Sequence, residues 1–462
     1  MRDPDDLPIA VLGAGIAGLV AALELQRNGY AVKVFEAAPV IAGLGGTHHD
    51  DDGFTYDMGA HFITNRLAAA IGISGDCRLV HRYGETVLID GRYVDYPNGL
   101  LQKPRFLASA LRGRVQPPDG DPSTAAWRFR RDYGQALADE VALPLLEAWS
   151  GSPADELAAS VADKIPASIA HTMFLHALAK ATNRAISVGY CWAQPMSASV
   201  FHVYPENGVA TLCERIAEQL PGVIQVSSPV QAIVVRDDKV QAVRVHDQEI
   251  AVRAVVSTAP INILPKLVEG SDKLEKYRRF RYRPMVMVNL KLTGRDLLPD
   301  VVAWYPTGYP FFRLTEATQS MPWLAPEGKT MVLCDIGAEV GDEHWTMDDD
   351  ALGDYCVDHL EDVIPGVRER YLGCRVVRTP IAYPVYLAEY EEDRLALRES
   401  TGIDGLLSVG RHGEFSHNLM EDVYWTTMDR VHRWIDAQHE IDLPAIEAAE
   451  RSRRVAADAH LG

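Results

Sequence analysis

Near the N-terminus, Ile9-Ala10-Val11-Leu12 is an unbroken apolar run, the mark of a short strand covered on both faces. A helical period runs from Leu19 to about Asn28, and Gly29 stands where a helix stops. Ala31-Val32-Lys33-Val34-Phe35 reads as a second buried strand. Residues 87–97 alternate about Asp90-Gly91 and predict a hairpin. From 100 to 190 the composition is helical, with breaks expected at Pro117-Pro118, Pro144 and Pro166. Leu212, Ile216, Ala217 and Leu220 make one stripe of an amphipathic helix. A ribbon starts at Ser228 and turns at residues 236–239, and Ala254–Pro260 reads as a further strand.

Downstream, Met285–Leu292 reads as a strand covered on one face only. With 309–314, 331–336, 375–378 and 381–386 it predicts one antiparallel sheet, interrupted by a helix from about Asp348 to Val363. Leu406–Val409 is a last strand, and a helix runs from near Met420 to about Gln438. The tail after Asp442 is rich in Ala, Glu and Arg and reads as a peripheral end.

The turn after the first strand is Gly13-Ala14-Gly15-Ile16-Ala17-Gly18, a G-x-G-x-x-G inside a βαβ unit. Gly13 permits the tight turn, Gly15 lets the backbone approach a pyrophosphate, and Gly18 lets helix and strand pack closely. Glu36, next to Ala37, ends the second strand, where a carboxylate can accept both ribose hydroxyls. The helix N-terminus then faces the phosphates with its positive end.

The stretch from Glu36 to Thr64 resembles the flavoproteins of the amine oxidase and protoporphyrinogen oxidase superfamily. Gly45-Gly46-Thr47 is similar to the glycine pair that lets the chain pass under a flavin; the family carries Arg or Lys next, where Thr47 and His48 stand here. Gly59-Ala60-His61 resembles the UDP-galactopyranose mutase branch, whose motif sets a Gly and a His beside the flavin. Val230 matches the position whose backbone contacts the adenine. Gly410-Arg411, then Met420-Glu421, resemble the family's last flavin-binding element, in which a helix start faces the flavin pyrimidine carbonyl. The resemblance implies one FAD, held through these residues, with its ring between two domains.

Phe312-Arg313 is similar to the family's strand beside the substrate cavity. His61, Arg313 and Tyr383 are the candidate catalytic residues, and Tyr305, Tyr309, Phe312 and Tyr386 are further candidates for the cavity wall. The tyrosines and Arg313 suit a polar, anionic ligand.

Composition narrows the partners. Against 45 Lys+Arg the chain carries 64 Asp+Glu, a net charge of −19. That argues against nucleic-acid binding and against stable docking on an anionic membrane. The cysteines, at 77, 191, 213, 334, 356 and 374, include no C-x-x-C pair, so no metal site is read from them. They suit a reducing compartment, here the cytoplasm.

The fold expected is α/β. A Rossmann-type FAD-binding domain is built from 1–85, 200–265 and 400–440. A substrate domain of antiparallel sheet plus helices is built from 86–199 and 266–399, and 441–462 is a tail. The function expected is an FAD-dependent oxidoreductase taking a hydride from a C–N, C–O or C–C bond of a small molecule. The alternative is a redox-neutral, mutase-like enzyme acting on a nucleotide sugar.

Overall fold

Short, mostly apolar segments of two to four residues make a central parallel sheet, in the order Ile224–Gln225, Val32–Phe35, Ile9–Leu12, Ala254–Ser257, Leu406–Ser408. The structure is a computed structural model, and it describes residues 7–59, 61–96, 99–100, 103–164, 169–188 and 197–438. Every pairing in this sheet is parallel, and Ile9–Leu12 and Ala254–Ser257 are buried along their whole length. Strands covered on both faces read as continuous apolar runs, which is why these short segments are recognisable in sequence.

The crossover helix Ile16–Arg27 packs against the sheet through Leu19, Val20, Leu23 and Leu25. Gly18 is obligatory there, because a Cβ would lie 1.9 Å from the carbonyl oxygen of Gly13. Gly13 itself has φ +99° and no room for a side chain beside Thr258.

The second large sheet has seven strands. Their order is Tyr371–Pro384, Tyr282–Thr293, Lys329–Gly337, Arg313–Thr315, Val302–Trp304, Glu85–Ile89, Arg92–Asp95. Its pairings are antiparallel except that of Val302–Trp304 with Glu85–Ile89. The hairpin turns at Asp90 and Gly91, both at positive φ, as a two-residue turn requires. Asp237 and Asp238 do the same for the ribbon Val230–Arg236 and Lys239–Val245.

Several expectations are corrected. Tyr282–Thr293 is covered on both faces. Val286, Val288, Leu290 and Leu292 face the outer layer, where the helix Asp349–Asp358 closes the core, and Met285, Met287 and Asn289 are buried on the inner face. The segments 375–378 and 381–386 form one strand, Tyr371–Pro384. Only Arg313–Thr315 of the segment 309–314 and its neighbour is strand. Pro144 does not break its helix. The path runs from Gln135 to Ser150 through a π turn at Ala138–Ala142, and Pro144 sits in the first turn after it, where its missing N–H is tolerated. Pro166 lies outside the described residues, as do Ala60, Cys191 and the tail.

Among the described residues no helix is long and apolar enough to cross a membrane, and the cysteines are free thiols.

Candidate functional site

The first strand ends in a turn whose backbone is left open. Gly15 caps the helix with extended φ and ψ and no side-chain acceptor, so the first helical N–H groups have no intrahelical partner. A Cβ on Gly15 would meet only the carbonyl oxygen of Ala42, at 3.8 Å, so the space over this turn is an open cradle. Glu36 is fixed beside it: its Oε2 accepts from Ala14 N–H at 2.6 Å and its Oε1 from Ala38 N–H at 2.8 Å. Each oxygen keeps lone-pair capacity for a further donor. Ser228 N–H donates to the Glu36 carbonyl, which brings the chain just before Val230 alongside.

The Gly43–Gly45 turn comes next, entered from Ala42 at φ +84° and tied to the first turn by Ala42 N–H donating to the Ala14 carbonyl at 2.9 Å. Thr47 is held by its neighbours. Its hydroxyl donates to Asp57 Oδ1 at 2.5 Å and accepts from Ala210 N–H at 3.0 Å, so its proton is not available to a ligand. Asp57 also accepts from Val209 N–H and from the Tyr204 hydroxyl. Burial pushes its pKa up to about 6, against the pull of the Thr47 and Val209 bonds.

Gly410 sits at φ +82° against Ala17, which sets Arg411 beside the start of the first helix. The methyl of Met420 touches the position a Cβ would take on Gly45, so the helix over 420–438 starts against the Gly43–Gly45 turn. Glu421 points elsewhere. Its carboxylate accepts from Thr64 at 2.6 Å and pairs with Arg66 at 3.6 Å, and burial raises its pKa.

His61, Arg313 and Arg411 converge. Burial and then the Arg411 charge lower the His61 pKa to about 4, with Arg313 adding to the effect and the Leu44 carbonyl opposing it. The imidazole is therefore neutral at pH 7, and its Nε2, closed to solvent, has no hydrogen-bond partner. Arg313 Nε donates to Asp335 Oδ2 at 2.7 Å from the next strand. Tyr383 lies under the Arg411 guanidinium, 4.9 Å from ring centre to charge. A small cavity of about 40 Å³ lies between the sheet's inner face (Asn289, Thr315, Met331, Leu333) and Asp57, Gly59, His61 and Tyr204.

Not every candidate joins this cluster. Tyr305 and Tyr309 pack with Phe311 in the outer layer, on the opposite face of the sheet, and Tyr305 hydrogen-bonds to Tyr93. Phe312 packs beside Trp304 in the core against which Tyr383 and Trp149 also pack. Sequence reasoning missed Asp57, Tyr204 and Asn289, and it missed Trp149, whose ring lies 5.1 Å from Tyr383 and 4.4 Å from His417. The signal for Asp57 was present: a lone carboxylate inside the apolar stretch Phe54–Met58.

These features fit a dinucleotide: a cradle that a Cβ would fill, a carboxylate fixed beside it, and an orphaned imidazole nitrogen. Comparison with known proteins agrees. The sequence profile described as flavin containing amine oxidoreductase matches residues 16–426. The flavin-dependent L-tryptophan oxidase RebO of Lentzea aerocolonigenes is 27% identical over 304 residues, covering 59% of this chain and 63% of that one. The mitochondrial protoporphyrinogen oxidase of Nicotiana tabacum is 28% identical over 176 residues, 32% of this chain and 34% of its own. The chain spans less than two thirds of the length of these curated relatives. A reduced UDP-galactopyranose mutase superimposes with a TM-score of 0.75 at 18% identity, covering 93% of this chain and 94% of that one. A putative protoporphyrinogen oxidase from Exiguobacterium sp. 255-15 does so at 0.70 and 16%, covering 92% and 98%. At these identities the structural likeness shows the fold.

Proposed function

The chain belongs to the flavin containing amine oxidoreductase family, and from that premise we propose that it is an FAD-dependent oxidoreductase that takes a hydride from a C–N, C–O or C–C bond of a small molecule held between the inner face of the seven-stranded sheet and the Gly43–His61 segment. The observation that carries this reading is the convergence of neutral His61 with Arg313 and Arg411 next to an internal cavity, at the edge of a dinucleotide turn.

Bound FAD supplies the hydride acceptor. The rest falls to the protein. The Gly15 turn and the helix start would hold the pyrophosphate, and Glu36 the ribose. Arg313, fixed by Asp335, would orient a polar substrate group. His61 Nε2, uncharged and unpartnered, would accept a proton from the substrate as the hydride leaves. Covering the site between the two sheets excludes water and strengthens each of these contacts.

A second reading has one observation in its favour. Gly59, at φ +132°, and His61 occupy the places that mark the UDP-galactopyranose mutase branch, which would make the chemistry redox-neutral. Acid precipitation tests the common ground: it should release yellow FAD, and a colourless protein that takes up no added FAD would contradict both readings.

A further inference from the structure

His61 and Thr315 each bring one unpaired polar atom to the same small space. Nε2 of His61 and Oγ1 of Thr315 are closed to solvent, and neither has a hydrogen-bond partner among the described residues. Both side chains line the cavity of about 40 Å³ on the inner face of the seven-stranded sheet. The other polar walls are occupied: Thr55 bonds to His49, Tyr56 donates to Asp50, and Tyr204 donates to Asp57. Buried polar atoms are almost always paired, so two orphans on one cavity mark a place for a ligand.

The geometry says what kind of group fits. The carbonyls of Leu44 and Met58 take a hydrogen bond from the His61 ring. With Nε2 unpartnered, the donor is Nδ1–H, and Nε2 keeps its lone pair. Thr315 and Asn289 lie on either side of Leu333 in one row across three strands, and all three line the cavity. The occupant must therefore donate to a nitrogen and share a hydrogen bond with a hydroxyl. Water does both. The hydroxyl of an alcohol does the same, and it displaces water without leaving an orphan. A hydrocarbon in this place leaves both atoms unpaired. An ammonium meets the charges of Arg411 and Arg313, which already act on His61. A water needs about 10–15 Å³ of such space, so the cavity has room for the carbon and oxygen of a carbinol group.

The chemistry agrees. An alcohol gives up a hydride only as its hydroxyl loses a proton, so it needs a base at the oxygen. An uncharged amine gives up a hydride under the push of its own nitrogen lone pair and needs no base. A base steadied by two backbone carbonyls, with a hydroxyl on the same cavity, is equipment for the first reaction.

We propose that His61 and Thr315 hold the hydroxyl of an alcohol substrate, its oxygen between Nε2 and Oγ1, and that the bond oxidised is C–O. The hydroxyl donates to Nε2 and accepts from Thr315. The carbinol C–H bond breaks and its electron pair leaves as hydride to bound FAD; the O–H bond breaks and its proton passes to Nε2; a C=O double bond forms. The alcohol is oxidised by two electrons and FAD is reduced by two. This inference rests on the oxidoreductase reading and narrows its three bond types to one.

The test uses FAD-loaded protein and two probes, trifluoroethanol and trifluoroethylamine, whose fluorine resonances report binding. Isotope-labelled histidine reads the nitrogen resonance of His61 Nε2 in the same samples. The alcohol should bind at least about 10-fold more tightly than the amine, the size of one buried polar group left unpaired, and should move the Nε2 resonance. Thr315→Val removes the hydroxyl at nearly constant volume and should erase the preference; Thr315→Ser keeps the hydroxyl and should retain it. FAD content and melting temperature of each variant control for folding. In a second arm, anaerobic protein is mixed with alcohols and amines of matched carbon skeletons, and an alcohol should bleach the flavin. Equal binding of the two probes, a preference that survives Thr315→Val, no binding of either because the cavity takes water alone, or bleaching by amines in place of alcohols would each overturn the proposal. Bleaching by an amine or an alkene leaves the oxidoreductase reading standing and fails only this inference; a protein that holds no FAD fails the reading beneath it.

Discussion

Arg313 and Asp335 face each other across adjacent antiparallel strands, Nε to Oδ2 at 2.7 Å, with the Asp335 side chain only 2% exposed. Burial opposes the Arg313 charge, and the Asp335 carboxylate outweighs it and raises the arginine's pKa. Removing one partner of such a pair strands the other. Asp335→Asn should therefore cost about 3 kcal/mol of stability, measured by denaturant unfolding. A loss below about 0.5 kcal/mol would show that Arg313 finds another partner or water, as at an exposed ion pair.

Gly15 and Gly18 separate cofactor binding from folding. Alanine at 18 drives a Cβ to 1.9 Å from a backbone oxygen, so Gly18→Ala should lower stability by several kcal/mol. Alanine at 15 meets nothing closer than 3.8 Å, and its φ is −75°, so Gly15→Ala should leave the apoprotein's stability within about 0.5 kcal/mol. It should weaken FAD at least about 10-fold by filling the cradle. Fluorescence titration with FAD and thermal melts of the apoproteins check both. A Gly15→Ala protein with undiminished FAD affinity would move the pyrophosphate elsewhere.

Glu36→Ala should weaken FAD by about 1–3 kcal/mol, the cost of losing hydrogen bonds to a charged acceptor. Unchanged affinity would remove Glu36 from the ribose.

Stability should fall on acidification. Burial holds His61, His202 and His412 down to about 4, against 6.5 in the unfolded chain. Between those values the unfolded state binds protons that the native state refuses, so the contribution is complete above pH 6.5 and lost as pH falls toward 4. Asp57, raised by burial to about 6, acts oppositely: its contribution is complete below 3.8 and lost as pH rises through 6. Burial also raises Glu85 and Glu421 and lowers His48 and His176, so three carboxyls act against five imidazoles and the melting temperature at pH 5 should lie below that at pH 7. His61→Gln should flatten the slope. An equal or higher melting temperature at pH 5 would contradict the burial of these rings.

Much of the nucleotide-binding half was legible because its signals are local. An apolar run, a glycine turn and a terminal Glu36 are all within one βαβ unit. The inner sheet was harder. Whether Tyr305 or Trp304 faces the site depends on strand register, and the aromatic run Tyr309–Phe312 gives no alternation to fix it. Trp149 was invisible for another reason: Pro144 suggested a break, and the π turn that keeps the helix going has no sequence mark. The coverage of Tyr282–Thr293 depends on a helix more than fifty residues away, Asp349–Asp358.

The central claim is net oxidation of a substrate, and an anaerobic flavin titration tests it most directly. Oxidised, FAD-loaded protein is mixed without oxygen with candidate amines, amino acids and other organic acids, alcohols, cyclic alkenes and nucleotide sugars, and the oxidised flavin band is monitored. The account predicts bleaching by a substrate alone, one equivalent per flavin, with the colour returning when an electron acceptor is admitted. No bleaching by any candidate, together with isomerisation of a nucleotide sugar by dithionite-reduced protein at no stoichiometric loss of electrons, would contradict it.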